Sequence, residues 1–262
     1  MPVISELFTY PLKSAQGISH KELQLTSRGP AGDRDWMVVN KNNRFFTQRQ
    51  KPKMCLIHVN QNDSTLTLNA PNMPQLTVAP STTNIIVDVW KDSVNVQDCG
   101  DEAAHWLSKF LEVEQCRLVY MPQSTQRQID TEFAKEGQLV SFADGFPSLI
   151  TSQASLDDFN NKLETPISTA NFRPNIVIGD CEPYAEDTWK EIRVNGILFS
   201  LVKPCSRCVI PSINQETAEK QKEVLLALNE HRRRERATYF GQNALHDQTG
   251  VIKVGDAVEI IS

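Results

Sequence analysis

Two cysteines at C-x-x-C spacing, Cys205 and Cys208, lie between Pro204 and Pro211, with Arg207 inside the motif and Lys203 just before it. The thiolate, not the thiol, is the nucleophile and the soft-metal ligand, and nearby positive charge favours it. Three chemistries are open to such a pair. A structural zinc site needs four ligands, but there is no second pair, and His20, His58, His105, His231 and His246 are scattered. A thioredoxin-like redox pair needs its first cysteine at a helix start within a βαβ unit, whereas β-branched Val209 and Ile210 and then Pro211 follow here. In the third chemistry, one thiolate ligates a soft or high-valent metal carried by an organic cofactor. Basic and amide side chains elsewhere must then hold the cofactor's anionic end. Lys13, Arg34, Arg49 and Arg173 stand in or beside turns and are candidates. Taken singly, each equally suits a surface ion pair, and Lys13 suits a solvated loop.

The elements that must position these residues are mostly strands. Val3–Pro11, Leu23–Leu25 and Trp36–Asn40 read as strands, and Asn42–Asn43 as a turn into Arg44–Arg49. Met54–Val59, Thr65–Leu68, Ile85–Trp90 and Ser93–Val96 continue the rhythm, the last two joined across Lys91–Asp92. Ala103, Trp106, Leu107 and Phe110 recur at helical spacing in Glu102–Leu111, with Asp101 at its start. Leu118–Met121 is a strand, and the aperiodic Pro122–Gln128 places a domain boundary between 1–120 and 121–262. In the second part, Ser152 caps a helix to Leu163. Ser148–Thr151, Ile176–Ile178, Trp189–Val194, Ile197–Val202 and Cys208–Ile210 read as strands. The longest helix is expected from Glu216 to about Arg236, ending in a basic tail that suits either a solvated helix end or a docking patch. Thr249–Ile261 reads as two strands across Gly255–Asp256.

The 262 residues, 40% hydrophobic and 23% charged, can bury a substantial core. A net charge of −5 argues against a non-specific nucleic-acid binder. No run is long enough to span a membrane, and Met1–Tyr10 lacks the pattern of a signal peptide, so the expected location is cytoplasmic. There the six cysteines would be free thiols rather than a disulfide framework.

Taken in order, Tyr10–Ser14 (YPLKS), Asp33–Trp36 (DRDW), Thr47–Gln50 (TQRQ), Asn171–Asn175 (NFRPN), Cys205–Cys208 (CSRC) and Ile252–Asp256 (IKVGD) form a set. The set resembles the MOSC superfamily, and most closely the mitochondrial amidoxime-reducing components and their bacterial relatives. The resemblance implies an α+β, mainly β fold, with a β-rich N-terminal domain packed on a C-terminal MOSC β-barrel with peripheral helices. It also implies a molybdenum-pterin cofactor (molybdopterin), whose dithiolene sulfurs and one protein cysteine bind the metal. By motif alignment that cysteine is Cys208, as metal ligand and catalytic residue. Lys13, Ser14, Arg34 and Arg173 match positions that hold the pterin and its phosphate, and Asp144 and Asn175 match partners of the pterin edge. The sequence departs from the family pattern at Gly145–Phe146, where close relatives carry small hydroxyl residues. The implied activity is reduction of small N-hydroxylated compounds, amidoximes or hydroxylamino purines, to the amine or amidine and water. No iron–sulfur cluster motif follows the MOSC region, so electrons are expected from a separate flavin or iron–sulfur protein, without nucleic-acid or membrane partners. The alternative is a molybdenum-cofactor or sulfur carrier acting through a cysteine persulfide.

Overall fold

A computed structural model describes residues 1–62 and 64–262. Its largest sheet runs in the order Val258–Ile260, Glu191–Val194, Ile197–Ser206, Ala237–His246, Ser148–Ser152, Ile176–Gly179, Val3–Thr9, Ile18–His20. Only Ser148–Ser152 and Ile176–Gly179 run parallel. The two sides of the sheet approach each other where Ile4 N donates to Asp256 O at 2.9 Å and Gly255 N to Ile4 O at 2.8 Å. Inward-facing Ile4, Leu7, Ile150, Ile178, Phe199 and Val258 fill the interior. Period-2 alternation along Ile197–Leu201 points its apolar residues inward, and an irregularity in register between Ile4 and Glu6 brings Ile4 and Leu7, three residues apart, to the same face.

A second sheet orders Trp36–Asn40, Cys116–Tyr120, Asp92–Asp98 and Asn84–Val89. Helix α1, Gly100–Leu111, packs Ala103, Trp106, Leu107 and Phe110 with Trp36 and Val38 of that sheet. It begins one residue before the expected Asp101, because the Asp98 carboxylate accepts the first amide, Gly100 N, at 2.6 Å. Among the described residues, mainly β structure with three α-helices is the architecture, and no helix is long and apolar enough to cross a membrane.

Helix α2, Gln153–Asn160, starts at the expected cap, Ser152, whose hydroxyl accepts from Ser155 N at 3.1 Å. Helix α3 spans only Lys222–His231, well short of Glu216–Arg236. Asn214 Oδ1 takes the amides of Glu216 and Thr217 in a turn, and Ala218 is left-handed, so no helix forms there. At the other end, Arg232 and Arg234 both bind Asp187, and Arg233–Arg234 pair as a short strand with Ala237–Thr238. The basic tail is thus partly drawn into an ion-pair knot. The C-terminal strands do not form a hairpin: Gly250–Lys253 pairs with Glu22–Thr26, and Val258–Ile260 with Glu191–Val194. Met54 lies in a 3-10 turn rather than a strand, since Pro52 cannot donate to a ladder.

Gly241 is left-handed at φ 76°, and a Cβ there would sit 2.6 Å from Ile150 O in the adjacent strand. Gly241→Ala should therefore destabilise by at least ~2 kcal/mol, a loss of about 4–8 °C in Tm by calorimetry.

Candidate functional site

The strand Ile197–Ser206 carries the first cysteine. Its pairing with Ala237–His246 shifts register between Leu201 and Lys203 and again between Pro204 and Ser206. Such bulges bend a strand and re-aim side chains. Arg207 N still donates to Thr238 O at 2.8 Å, but Val209 then enters a turn closed by Ser212 N on Val209 O at 3.1 Å. Cys208–Ile210 is therefore not a strand, and Cys208 is exposed at the lip of a cleft. Asn171 ties this turn to the Asn171–Asn175 loop, its amide donating to Pro211 O at 2.9 Å and Ile213 O at 3.0 Å.

That loop places Arg173. Phe172 stacks on Phe240 with ring centroids 3.8 Å apart and 7° between planes, and Arg173 itself is left-handed at φ 58°. The Arg173 guanidinium lies 4.2 Å from the Tyr10 ring and donates to Ala15 O at 2.7 Å. Arg34 approaches the same ring at 4.5 Å. Gly17 closes the ring in: a Cβ there would meet Tyr10 Cε1 at 2.5 Å. Arg34 is neutralised by Asp33 and held by Asn175 Oδ1 at 3.0 Å and Arg173 O at 3.1 Å. No carboxylate among the described residues pairs with Arg173. Burial, and to a lesser degree the neighbouring Arg34, lowers its pKa to about 10, so it remains charged at neutral pH.

A second charged group lies across the cavity. Buried Lys13 donates to Phe142 O at 2.7 Å and to Asp144 Oδ1 at 2.5 Å. Arg49 binds the other Asp144 oxygen at 3.0 Å, and its charge lies beside the Cys208 sulfur. Burial alone would raise Asp144, but Lys13, Arg49 and the Trp90 indole N–H hold it well below the usual carboxylate range. Burial lowers Lys13 to about 8 despite Asp144. Trp90 occupies the first position of the two-residue turn between Asn84–Val89 and Asp92–Asp98, at φ 58°. A bulky residue is disfavoured in that conformation. The turn is thus Trp90–Lys91, one residue earlier than expected. Arg49 lies 5.0 Å from its indole, and Phe45 meets it edge-on at 5.2 Å.

Lys13, Ser14, Arg34, Asp144, Arg173, Asn175 and Cys208 all line one inner cavity of about 140 Å³. Asn175 is committed to the protein: its Oδ1 accepts from Arg34 and Leu149 N, and its Nδ2 donates to Phe8 O. Ser14 Oγ accepts from Gln48 N at 3.3 Å, joining the Lys13 and Arg49 loops. Arg49, one of the basic candidates read from the sequence, also lines this cavity. Two neighbours of the site lie outside those candidates: Arg207, whose place within the CSRC motif could have signalled it, and Trp90, which carries no sequence signal. Arg207 donates to Cys205 Sγ at 2.9 Å and to Phe172 O at 2.7 Å. Five basic side chains line this cavity against one carboxylate, Asp144. The arrangement can bind an anionic ligand and hold a thiolate at its edge.

Asp144→Asn should lower Tm by a margin that depends on pH. It strips Lys13 of its counter-ion, which matters only while Lys13 is protonated. The folded pKa of Lys13 lies below its unfolded value, and losing Asp144 lowers it further. The Tm deficit relative to the native protein should therefore be large at pH 6 and shrink toward pH 9 in calorimetric scans; a constant deficit would show that the Lys13 charge does not matter here.

Residues 1–114 match the family described as the MOSC N-terminal beta barrel domain, and residues 137–259 match the MOSC domain. Mitochondrial amidoxime-reducing component 1 of Mus musculus is 36% identical over 98% of this chain and 82% of its own length. The Homo sapiens protein of the same name is 34% identical with the same coverage. Mitochondrial amidoxime reducing component 2 of Bos taurus is 32% identical over 97% of this chain and 82% of its own. The chain belongs to the MOSC superfamily, in the family of the mitochondrial amidoxime-reducing components.

Proposed function

We propose that this protein is a molybdenum-cofactor-dependent oxidoreductase that reduces small N-hydroxylated compounds with electrons from a separate protein carrying a flavin or an iron–sulfur centre. The observation that carries this reading is the excess positive charge of the inner cavity, which includes the half-buried Arg173 and borders the Cys208 thiol. The residues present fit an anionic pterin. Arg173 Nη2, Arg207 Nε and Ser148 Oγ are buried polar atoms without partners, and all three residues line the cavity. Such atoms are costly in a folded protein unless a ligand engages them.

On this reading Arg173 and Lys13 hold the phosphate, with Ser14, Arg34, Asp144 and Asn175 around the pterin and Cys208 as metal ligand. The bound cofactor supplies the two-electron chemistry that removes oxygen from an N–OH group. Arg49 directs positive charge at Cys208 Sγ, and Asp144 fixes the guanidinium that does so.

Protein from a cofactor-competent host should carry about one molybdenum per chain. Reduction of benzamidoxime by the chemically reduced protein should vanish in Cys208→Ala. Stoichiometric metal without turnover would remove the reductase assignment, and a persulfide on Cys205 or Cys208 without metal would favour a sulfur carrier. Arg173→Met separates stability from function. Removing a buried unpaired charge should leave the cofactor-free Tm equal or higher. Cofactor retention after gel filtration should fall at least about tenfold.

A further inference from the structure

The inner cavity is not the only space that reaches the cysteines. An outer groove of about 1210 Å³ shares Cys205, Cys208, Arg49 and Asp144 with it, then runs out past Trp90, Phe133 and Phe146. The two spaces differ in chemistry. The inner one is ringed by guanidinium groups, whereas the outer one presents aromatic faces. Phe133 and Phe146 meet edge-to-face at 5.6 Å, and Trp90, packed against Arg49 and Phe45, remains 54% exposed along the groove.

The charges of the groove are nearly all committed. Lys91 pairs with Asp130 at 3.0 Å, Arg127 with Asp92 at 2.8 Å, and Arg49 with Asp144 at 3.0 Å. Arg207 is bound to Cys205 Sγ and Phe172 O. Lys203 is the exception among the described residues lining the groove. Its ammonium lies over the Phe133 ring, 4.4 Å from the centroid, and has no carboxylate within ion-pair distance; Asp130 acts on it only from farther off. Lys203 lies on the same strand as Cys205, and both line the groove that Cys208 borders.

We propose that the outer groove selects aromatic N-hydroxylated compounds carrying an anionic group at the far end of the ring, and that Lys203 reads that charge. This rests on the proposed function and names the substrate class of the same site. The N–OH group enters beside Cys208, the ring lies among Trp90, Phe133 and Phe146, and the carboxylate or phosphate meets the Lys203 ammonium. Phe133 holds that ammonium by a cation–π contact until the anion arrives.

The test compares benzamidoxime with its 4-carboxy and 4-phosphonooxy analogues on molybdenum-loaded protein. The native protein should favour the anionic compounds by about fivefold in kcat/KM at low salt, carried by KM and eroded by added salt. The preference should disappear in Lys203→Gln, invert in Lys203→Glu and persist in Lys203→Arg. The ratio between the two anions shows which group is favoured. Equal kcat/KM for neutral and anionic compounds in the native protein, or a preference that survives Lys203→Gln, overturns the proposal. Absence of turnover with all three would count against the reductase assignment instead. The groove is then read by quenching of Trp fluorescence: quenching by the 4-carboxy compound that is lost in Lys203→Gln supports the charge-reading role, and quenching unchanged by the variant overturns it.

Discussion

A positive charge held out of water without a counter-ion is among the least favourable things a fold can contain. Half-buried Arg173, whose Nη2 is buried without a partner, approaches that situation, and much of the surrounding structure keeps it in place. Tyr10 gives its ring to Arg173 and to Arg34, and Gly17 leaves room for that ring. Asp33 is ion-paired with Arg34 and acts on Arg173 only from farther off. The Phe172–Phe240 stack and the Asn171 amide fix the backbone on either side of the CSRC turn. The hydrophobic and hydrogen-bonding structure thereby supports an electrostatic arrangement that is unfavourable until an anion arrives.

The strands and the helix cap at Ser152 were legible because their signals are local: period-2 apolar patterns and a hydroxyl ahead of an amphipathic run. The C-terminal pairings were not, since the partner of Gly250–Lys253 lies more than 200 residues away, at Glu22–Thr26. The length of helix α3 was misjudged because apolar spacing says nothing about Asp187, which draws Arg232 and Arg234 out of the helix. At the site, the expected residues do meet around one cavity, but their mutual contacts were invisible. Asp144 is tied to Lys13 and Arg49 rather than standing free. Trp90 could not be found from sequence, because nothing in its neighbours reveals that a tryptophan will take a left-handed turn position.

The Asp144 carboxylate holds a cation from each of two loops, and the second of these, Arg49, reaches the Cys208 thiol. The same carboxylate borders both the inner cavity and the outer groove. Asp144 therefore stands at the junction of the two spaces, joined through Arg49 to the side that carries the sulfur.

The contact between Ile4 and the Gly255–Asp256 turn joins segments about 250 positions apart. The cavity itself is assembled from Lys13, Asp144, Arg173 and Cys208. Contacts of such long sequence separation form late, because chain entropy must be given up before they contribute. The lining of the cavity runs from Lys13 to Asn243, so the site is whole only when segments from nearly the full length of the chain have come together.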